Sequence, residues 1–287
     1  MQITNDPNGL NTCAVIVTYF PDENLISLIE TIRKEIYHVF IIDNTDSKHD
    51  FKLIESINNE NIFIIKNNAN LGIAKALNQG FKKAKEYNFE WVITFDQDTI
   101  LLENYFQLIN KIYNLFPTKS KIGAIGLSSF GENNDKRTNY IIKDYLITSG
   151  CLLPISVYNQ VGDFAADLFI DNVDIDYCLR IRSLKLKLVK ILQPSMIHKA
   201  GNTISKKILF FNLNSSNHNS LRRYYMSRNH IILVRKYFVL YPFFIIKATF
   251  FFCISVISFS FLETNVKKKM LNTLRGIIDG IKYNLNF

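Results

Sequence analysis

Residues 91–99 read Trp-Val-Ile-Thr-Phe-Asp-Gln-Asp-Thr, and the fold turns on this stretch. Trp91 to Phe95 is a short β-branched and aromatic run, the composition of a buried strand. Asp96 and Asp98 follow at its carboxyl end, one residue apart. In extended or tightly turning backbone that spacing sets both carboxylates on roughly the same side. Mg²⁺ or Mn²⁺ needs such ligands, because it accepts one or two carboxylates and takes its other oxygens from phosphate and water. Open α/β sheets also bind their ligands outside the carboxyl ends of the strands. Standing alone, Asp-x-Asp at a strand end is more often a solvated turn, so the neighbouring elements have to decide.

Working outward toward the N-terminus, Cys13 to Phe20 is a continuous apolar run suited to a strand buried on both faces of a parallel sheet. Pro21 ends it, and Asn24 to Glu35 carries helical spacing through Leu25, Leu28, Ile29 and Ile32. A second strand is expected at Val39 to Ile42, ending at Asp43 and Asn44; a helix at Phe51 to Ile57; and a third strand at Ile62 to Ile65. Strands alternating with helices at this spacing predict a doubly wound, mainly parallel α/β sheet. Asn67 to Gly80 begins as a turn and continues as a helix to Tyr87. Asn70 lies in its cap region, and Gly72 lets the backbone approach a ligand closely. A helix N-terminus aimed at the strand ends is suited to anions.

Beyond the acidic pair, Ile122 to Leu127 reads as another strand, Ser128 to Asn139 as a surface loop, and Ile147 to Leu153 as a strand carrying Ser149 and Gly150. Small residues there let a ligand approach the sheet closely or mark a bulge. Asp167, Asp171, Asp174 and Asp176 then stand among apolar residues. Ile175, Cys178, Leu179 and Arg182 fall at helical intervals from Asp174, which places that acid at a helix N-terminus, where acids are favourable in any case. His198 follows an apolar strand, a position more often structural than catalytic. Arg222, Arg223 and Arg228 are interleaved with two tyrosines; they suit phosphate, or simply the basic face of a helix.

Composition sets the remaining bounds. The chain has 287 residues, 48% of them hydrophobic, and a formal charge of +9, so a sizeable core is expected, global disorder is excluded and a polyanionic partner is favoured. Cys13, Cys151, Cys178 and Cys253 show no metal or disulfide spacing and are expected to be buried thiols in a reducing compartment. Met1 to Leu10 lacks the regions of a signal peptide, so export is not expected. Tyr237 to Leu262 is the most apolar stretch, interrupted by Pro242 and Lys247. A span needs about 20 apolar residues, and Lys247 leaves only shorter runs. Helices lying in the membrane interface are therefore expected, with Lys267, Lys268 and Lys269 toward anionic headgroups of the cytoplasmic leaflet. A buried hairpin or a homodimer contact is the alternative. The domain division expected is a tail over 1–11, a main α/β domain over 12–230 and a C-terminal apolar and basic helical region over 231–287.

The order of a Val-Thr-Tyr strand (Val17 to Tyr19), an Ile-Ile-Asp strand end (Ile41 to Asp43), Asn70-Leu-Gly-x-Ala-x-x-x-Asn-x-Gly80 and a strand closing in Asp96-x-Asp98 resembles the nucleotide-sugar half of family-2 glycosyltransferases with the GT-A fold. The resemblance implies a GT-A sheet with a C-terminal membrane-associating helical appendage. It places Thr18 and Tyr19 beside the nucleoside, Asp43 on the base, and Asn70 and Gly72 near the ribose or diphosphate. Asp98 becomes the ligand of Mg²⁺ or Mn²⁺ bridging the donor diphosphate, with Asp96 and Gln97 as further donor contacts. His198 lies close to the diphosphate or metal and is a second candidate ligand.

Relatives carry an acidic pair followed by x-Asp and, further on, Arg. Here Val173 and Asp174 fill the pair's positions, with Asp176 and Arg180 in register; the first acid is replaced by Val173, which resembles the bacterial rhamnosyltransferase branch. Asp174 is then the candidate general base, with Asp171 its rival, and Ser149, Gly150, Arg180 and Arg222 lie on the acceptor or phosphate side. The Gln-x-x-Arg-Trp motif of processive members is missing, which implies addition of a single sugar. The implied reaction is inverting transfer of a deoxysugar, best rhamnose from dTDP-rhamnose, to a growing surface polysaccharide or a polyprenyl-diphosphate-linked saccharide, by a cytoplasmic enzyme peripheral to the inner face of the cell membrane. UDP-hexose or UDP-galactofuranose is the alternative donor. A sugar-phosphate nucleotidyltransferase would need a Gly-rich, basic N-terminal loop where Thr18 to Pro21 stand. Nucleic-acid binding would need exposed aromatics among the basic residues, whereas the charge excess lies largely beyond Lys185, toward the apolar tail.

Overall fold

Residues 12–18, all buried, form β1 (Thr12–Thr18). The computed structural model describes residues 5–46, 57, 60–130, 138–198, 203–208 and 211–285. After β1 come α1 (Asn24–Arg33), β2 (His38–Asp43), β3 (Ile62–Lys66), α2 (Ile73–Glu86), β4 (Trp91–Asp96), β5 (Thr99–Leu101) and α3 (Tyr105–Leu115). The chain continues through β6 (Ile122–Ser129), β7 (Tyr140–Lys143), β8 (Cys151–Pro154), α4 (Ile155–Val161), α5 (Val173–Ser183) and β9 (Lys187–His198). The last elements are β10 (Ile204–Ile208), β11 (Phe211–Ser215), α6 (Ser220–Tyr237), α7 (Pro242–Leu262) and α8 (Val266–Lys282).

Packing divides the chain into two compact units. The first comprises Met1–Asp167 and Asp174–Lys199, the second Leu168–Val173 and Ala200–Phe287. In the first, the sheet order is β3-β2-β1-β4-β8-β6-β9-β5, with β7 also on β9. β3, β2, β1 and β4 run parallel, β8 is antiparallel to both β4 and β6, and β6 and β9 are parallel.

Alternation along β1 explains why helices cover both sheet faces. Ala14 and Ile16 join a core with Leu25, Leu28 and Ile32 of α1 and Phe106 and Ile109 of α3. Val15 faces the other way, toward α2. A Cβ at Gly80 would lie 2.4 Å from Val15 Cγ1, so glycine is what lets α2 sit this close to the strand. Register aligns the strand ends that matter: Thr18 pairs with Asp43, and Val17 with Asp96.

The parallel half follows the sequence pattern closely. The helix expected over Phe51 to Ile57 lies outside the described residues apart from Ile57, as does most of the loop expected over Ser128 to Asn139; within that loop's range, β6 extends to Ser129. The strand expected from Ile147 starts only at Cys151. Gly150 has φ +71°, and its N–H donates to Thr94 O at 2.7 Å, a turn geometry that delays regular pairing.

In the second unit, β10 and β11 form an antiparallel hairpin, and α7 is one continuous 21-residue helix that runs through Lys247. Lysine is a good helix former, so the charge that divides the apolar run does not break the helix. This helix is long and apolar enough to cross a membrane, and only 17% of its most apolar window is buried. Two further expectations are corrected here. Lys269 is buried and ion-paired to Glu263 at 2.6 Å, so it does not face headgroups. Cys253 is exposed on α7, whereas Cys13 and Cys178 are buried.

Candidate active site

The polar residues that terminate the strands of the first unit hold one another in a defined network. Thr18 Oγ1 and Thr45 Oγ1 each donate to Asp43 Oδ1 at 2.7 Å, and the Thr45 N–H adds a third bond at 3.2 Å. Asp43 is fully buried, yet its Oδ2 has no hydrogen-bond partner among the described residues. Burying an acceptor unsatisfied is costly unless a ligand donor meets it.

The first turn of α2 is set beside this carboxylate by side chains that follow the strands. Asn44 Nδ2 donates to Gly72 O at 3.2 Å, Asn67 Nδ2 to Asn44 Oδ1 at 2.8 Å, and Asn67 and Gln79 exchange a further pair of bonds. Asn70 Oδ1 accepts from Gly72 N–H at 3.0 Å. Gly72 is the N-cap, with φ 83° and ψ 159°, a conformation open to glycine and little else. Asn44, Thr45, Asn67 and Gln79 were not singled out from sequence; the signal available was a cluster of amides and hydroxyls directly after two buried strands.

At the acidic turn, the Asp96 N–H donates to Ser149 Oγ at 3.2 Å, and Ser149 Oγ lies 2.5 Å from Thr99 Oγ1. Ser149 thus braces the turn from beneath, with Gly150 beside it on β4 through the Thr94 carbonyl. Gln97 turns back to β1: its Oε1 accepts the Tyr19 N–H at 2.6 Å and its Nε2 donates to Tyr19 O at 3.0 Å. Asp98 is exposed. β5 pairs with β9 in a register that sets Thr99 opposite His198, so the backbone of His198 comes beside the turn; its imidazole lies outside the described residues. Among the described residues no three His, Cys, Asp or Glu side chains cluster to hold a metal. An exposed carboxylate at such a turn fits an ion that draws most of its ligands from substrate and water.

Asp174 opens α5, with its Oδ1 accepting the Ile175 N–H at 2.9 Å. It lines a narrow, mainly apolar crevice with Thr94, Thr148, Cys151 and Tyr177. Thr148 adjoins Ser149, so the crevice and the acidic turn share one strand end. Burial pushes the Cys151 thiol up to about 12, and the Tyr177 phenol rises well above its ordinary range for the same reason. Neither group is an acid or base at neutral pH. Arg180 is spent within the unit: it pairs with the buried Asp176 at 2.9 Å, donates to Val161 O at 3.0 Å and stacks on Tyr177.

Asp171 belongs to the second unit. It has φ 63°, a left-handed conformation that aspartate tolerates, and Arg222 grips its carboxylate through Nε and Nη2 at 3.0–3.3 Å. Asn229, wholly buried, donates to the carbonyls of Leu168, Ile170 and Asp171. Arg223 pairs with Glu263 at 2.6 Å, and Arg228 stacks over Tyr225 and bonds Asn229. The three arginines expected at phosphate therefore have protein partners.

Residues 13–166 match the family described as Glycosyl transferase family 2. The chain is 28% identical over 298 residues to the dTDP-rhamnosyl transferase RfbF of Shigella flexneri, covering 96% of this chain and 99% of that protein. Among solved structures, GalNAc-T7 with UDP, GalNAc and Mn²⁺ superposes with a TM-score of 0.61 at 13% identity. That match covers 82% of this chain and 49% of the other, so this chain spans about half the length of that structure. The likeness confirms a GT-A-like fold.

Proposed function

The chain belongs to glycosyl transferase family 2, and from that premise we propose an inverting, metal-dependent transfer of rhamnose from dTDP-rhamnose to a saccharide hydroxyl. The observation that carries this reading is the alignment of a buried, half-satisfied Asp43 with the Asp96–Asp98 turn across adjacent parallel strands. Asp43 Oδ2 is the acceptor for the imide N–H of a thymine or uracil ring, while Thr18 and Thr45 hold the carboxylate in place. Tyr19, exposed beside Thr18, flanks the nucleoside. Gly72 and the first turn of α2, held by Asn70, present backbone N–H groups to the ribose or diphosphate side.

Asp98 is the candidate ligand for Mg²⁺ or Mn²⁺, with Asp96 supporting and His198 as a second ligand. When bound, such an ion supplies positive charge to the departing diphosphate. Asp174 is the general base. Its carboxylate takes the proton of the acceptor hydroxyl as that oxygen bonds to the anomeric carbon and the bond to the diphosphate oxygen breaks, with inversion at carbon. Asp171 is the weaker candidate, because Arg222 already holds both its oxygens. The choice of rhamnose is supported by the full-length similarity to a protein named as a dTDP-rhamnosyl transferase. The acceptor is a growing surface polysaccharide or a polyprenyl-diphosphate-linked saccharide, met at the inner face of the cell membrane.

The test is thermal stabilisation of the purified chain by dTDP-rhamnose, UDP-galactose and UDP-galactofuranose, with Mn²⁺ or with a chelator. Stabilisation by dTDP-rhamnose that requires the metal is expected. Stabilisation by UDP-sugars alone would replace the donor, and none by any nucleotide sugar would sink the reading.

A further inference from the structure

The second unit leaves two helix faces apolar and uncovered, and both belong to one strongly basic segment. On α7 the face toward α6 carries Ile245, Thr249, Phe252, Ser255 and Phe259, spaced as one helical stripe. Ile245 and Phe259 are buried, Thr249 bonds His230 at 3.0 Å, Phe252 stacks on the same imidazole, and Ser255 accepts from Arg223 at 3.1 Å. The opposite side of α7 is exposed: Phe243 at 87%, Phe250 at 62%, Phe261 at 71%, with Ile246 and Ile257.

On α8 the inner face carries Lys269, Thr273, Gly276 and Gly280. A Cβ at Gly276 would lie 2.2 Å from Ser227 Oγ, and one at Gly280 would lie 2.7 Å from Arg228 O, so the backbones of α6 and α8 nearly touch. Its outer face exposes Leu271, Leu274, Ile278 and Ile281 at steps of three and four.

We infer that these two outer faces dock the protein in the plane of an anionic membrane leaflet, with α7 lying in the interface and not spanning it. This deepens the membrane location given above and rests on that reading only for which leaflet is met.

Three observations select the orientation and the occupant. First, α7 is bound side-on, through Thr249, Phe252, Ser255 and Phe259, to a helix rich in charge: α6 carries Arg222, Arg223, Arg228, Arg235 and Lys236. Drawing α7 through hydrocarbon would drag these charges with it or strip α6 away. Second, the C-terminal end of α7 is fixed by Glu263, whose buried carboxylate pairs with Arg223 and Lys269 and bonds Ser215. Third, residues 200–287 hold thirteen Lys and Arg against two acids, Glu263 and Asp279, more positive charge than the whole chain's +9. Lys247, Lys267, Lys268, Arg275 and Lys282 are exposed around the apolar faces. A second copy would bring like charge against like charge; anionic headgroups neutralise it, and the apolar side chains enter the acyl boundary.

The full chain is floated with phosphatidylglycerol/phosphatidylcholine vesicles and with phosphatidylcholine alone. At least tenfold stronger recovery with the anionic vesicles is expected, reversed by high salt with alkaline carbonate. Phe250→Glu and Ile278→Glu should each abolish recovery while melting temperature, mass in solution and transfer to a soluble acceptor stay unchanged. Equal recovery on both vesicles, resistance to salt and carbonate extraction, or a stable dimer broken by these substitutions would overturn the inference. Because transfer to a soluble acceptor is scored separately, its failure in the wild type would strike the catalytic reading alone.

Discussion

The side-chain amide of Gln97 grips the peptide of Tyr19 from both sides, accepting its N–H at 2.6 Å and donating to its carbonyl at 3.0 Å. The residue between the two acids thereby fixes the end of β1, and Phe20, one position on, is held left-handed at φ 50° with its N–H on Thr45 Oγ1. Since Thr45 also bonds Asp43, the acidic turn and the candidate base pocket are joined by a chain of hydrogen bonds. Gln97→Ala should raise the KM for the donor by about three- to thirtyfold, the worth of one or two hydrogen bonds, with a much smaller change in kcat. Gln97→Glu keeps the acceptor and loses the donor, so it should fall between the two. Steady-state kinetics with the donor varied checks this; equal losses in kcat and KM would point to direct participation in chemistry.

Asp43→Asn isolates the orphaned oxygen. The amide oxygen can still accept from Thr18 and Thr45, while an N–H group replaces Oδ2 and meets the imide N–H of the base as a second donor. A charged hydrogen bond is worth about 1.5–3 kcal/mol, so dTDP affinity measured by calorimetry should drop by about ten- to hundredfold with little change in melting temperature. Undiminished dTDP binding would remove Asp43 from the base site.

Much of this was readable in the residues. β1, β2 and β4 are uninterrupted apolar runs, and Asp43, Gly72 and Asp98 stand where those runs end or the next helix begins. β7 is hard to read because Tyr140 to Lys143 is half-exposed and its apolar run, Tyr140 to Ile142, is only three residues, and β5 because it has three residues. The partners of the site residues were not legible, since they come from afar: Gln97 meets Tyr19 across 78 positions and Arg222 meets Asp171 across 51. A basic residue looks the same in sequence whether it awaits phosphate or already holds a carboxylate. Lys247 divides the apolar run without dividing the helix, because its side chain is exposed on α7.

The two candidate bases separate by substitution. Asp174→Asn should lower kcat by about a hundredfold to ten-thousandfold, the usual range for loss of a general base, while dTDP binding and melting temperature are retained. Asp171→Asn removes the charge that Arg222 grips and should instead lower the melting temperature with a lesser effect on kcat. The reverse pattern would transfer the role to Asp171.

Stability should fall on mild acidification because two histidines of the second unit are held neutral. Burial lowers His230 to about 4, and burial, followed by the charge of Arg222, lowers His218 to about 4. An unfolded histidine titrates near 6.5, so between about 6.5 and 4 the unfolded chain binds protons that the folded chain refuses. The contribution of neutral His230 and His218 is therefore complete above pH 6.5 and is lost as pH falls toward 4. Melting followed by circular dichroism at pH 7.5, 6.0 and 5.0 should show a declining midpoint. His230→Gln retains a group able to bond Thr249 but cannot take up a proton, so its midpoint should fall less steeply over that range. An identical slope in the variant would mean that the acid sensitivity arises at other groups.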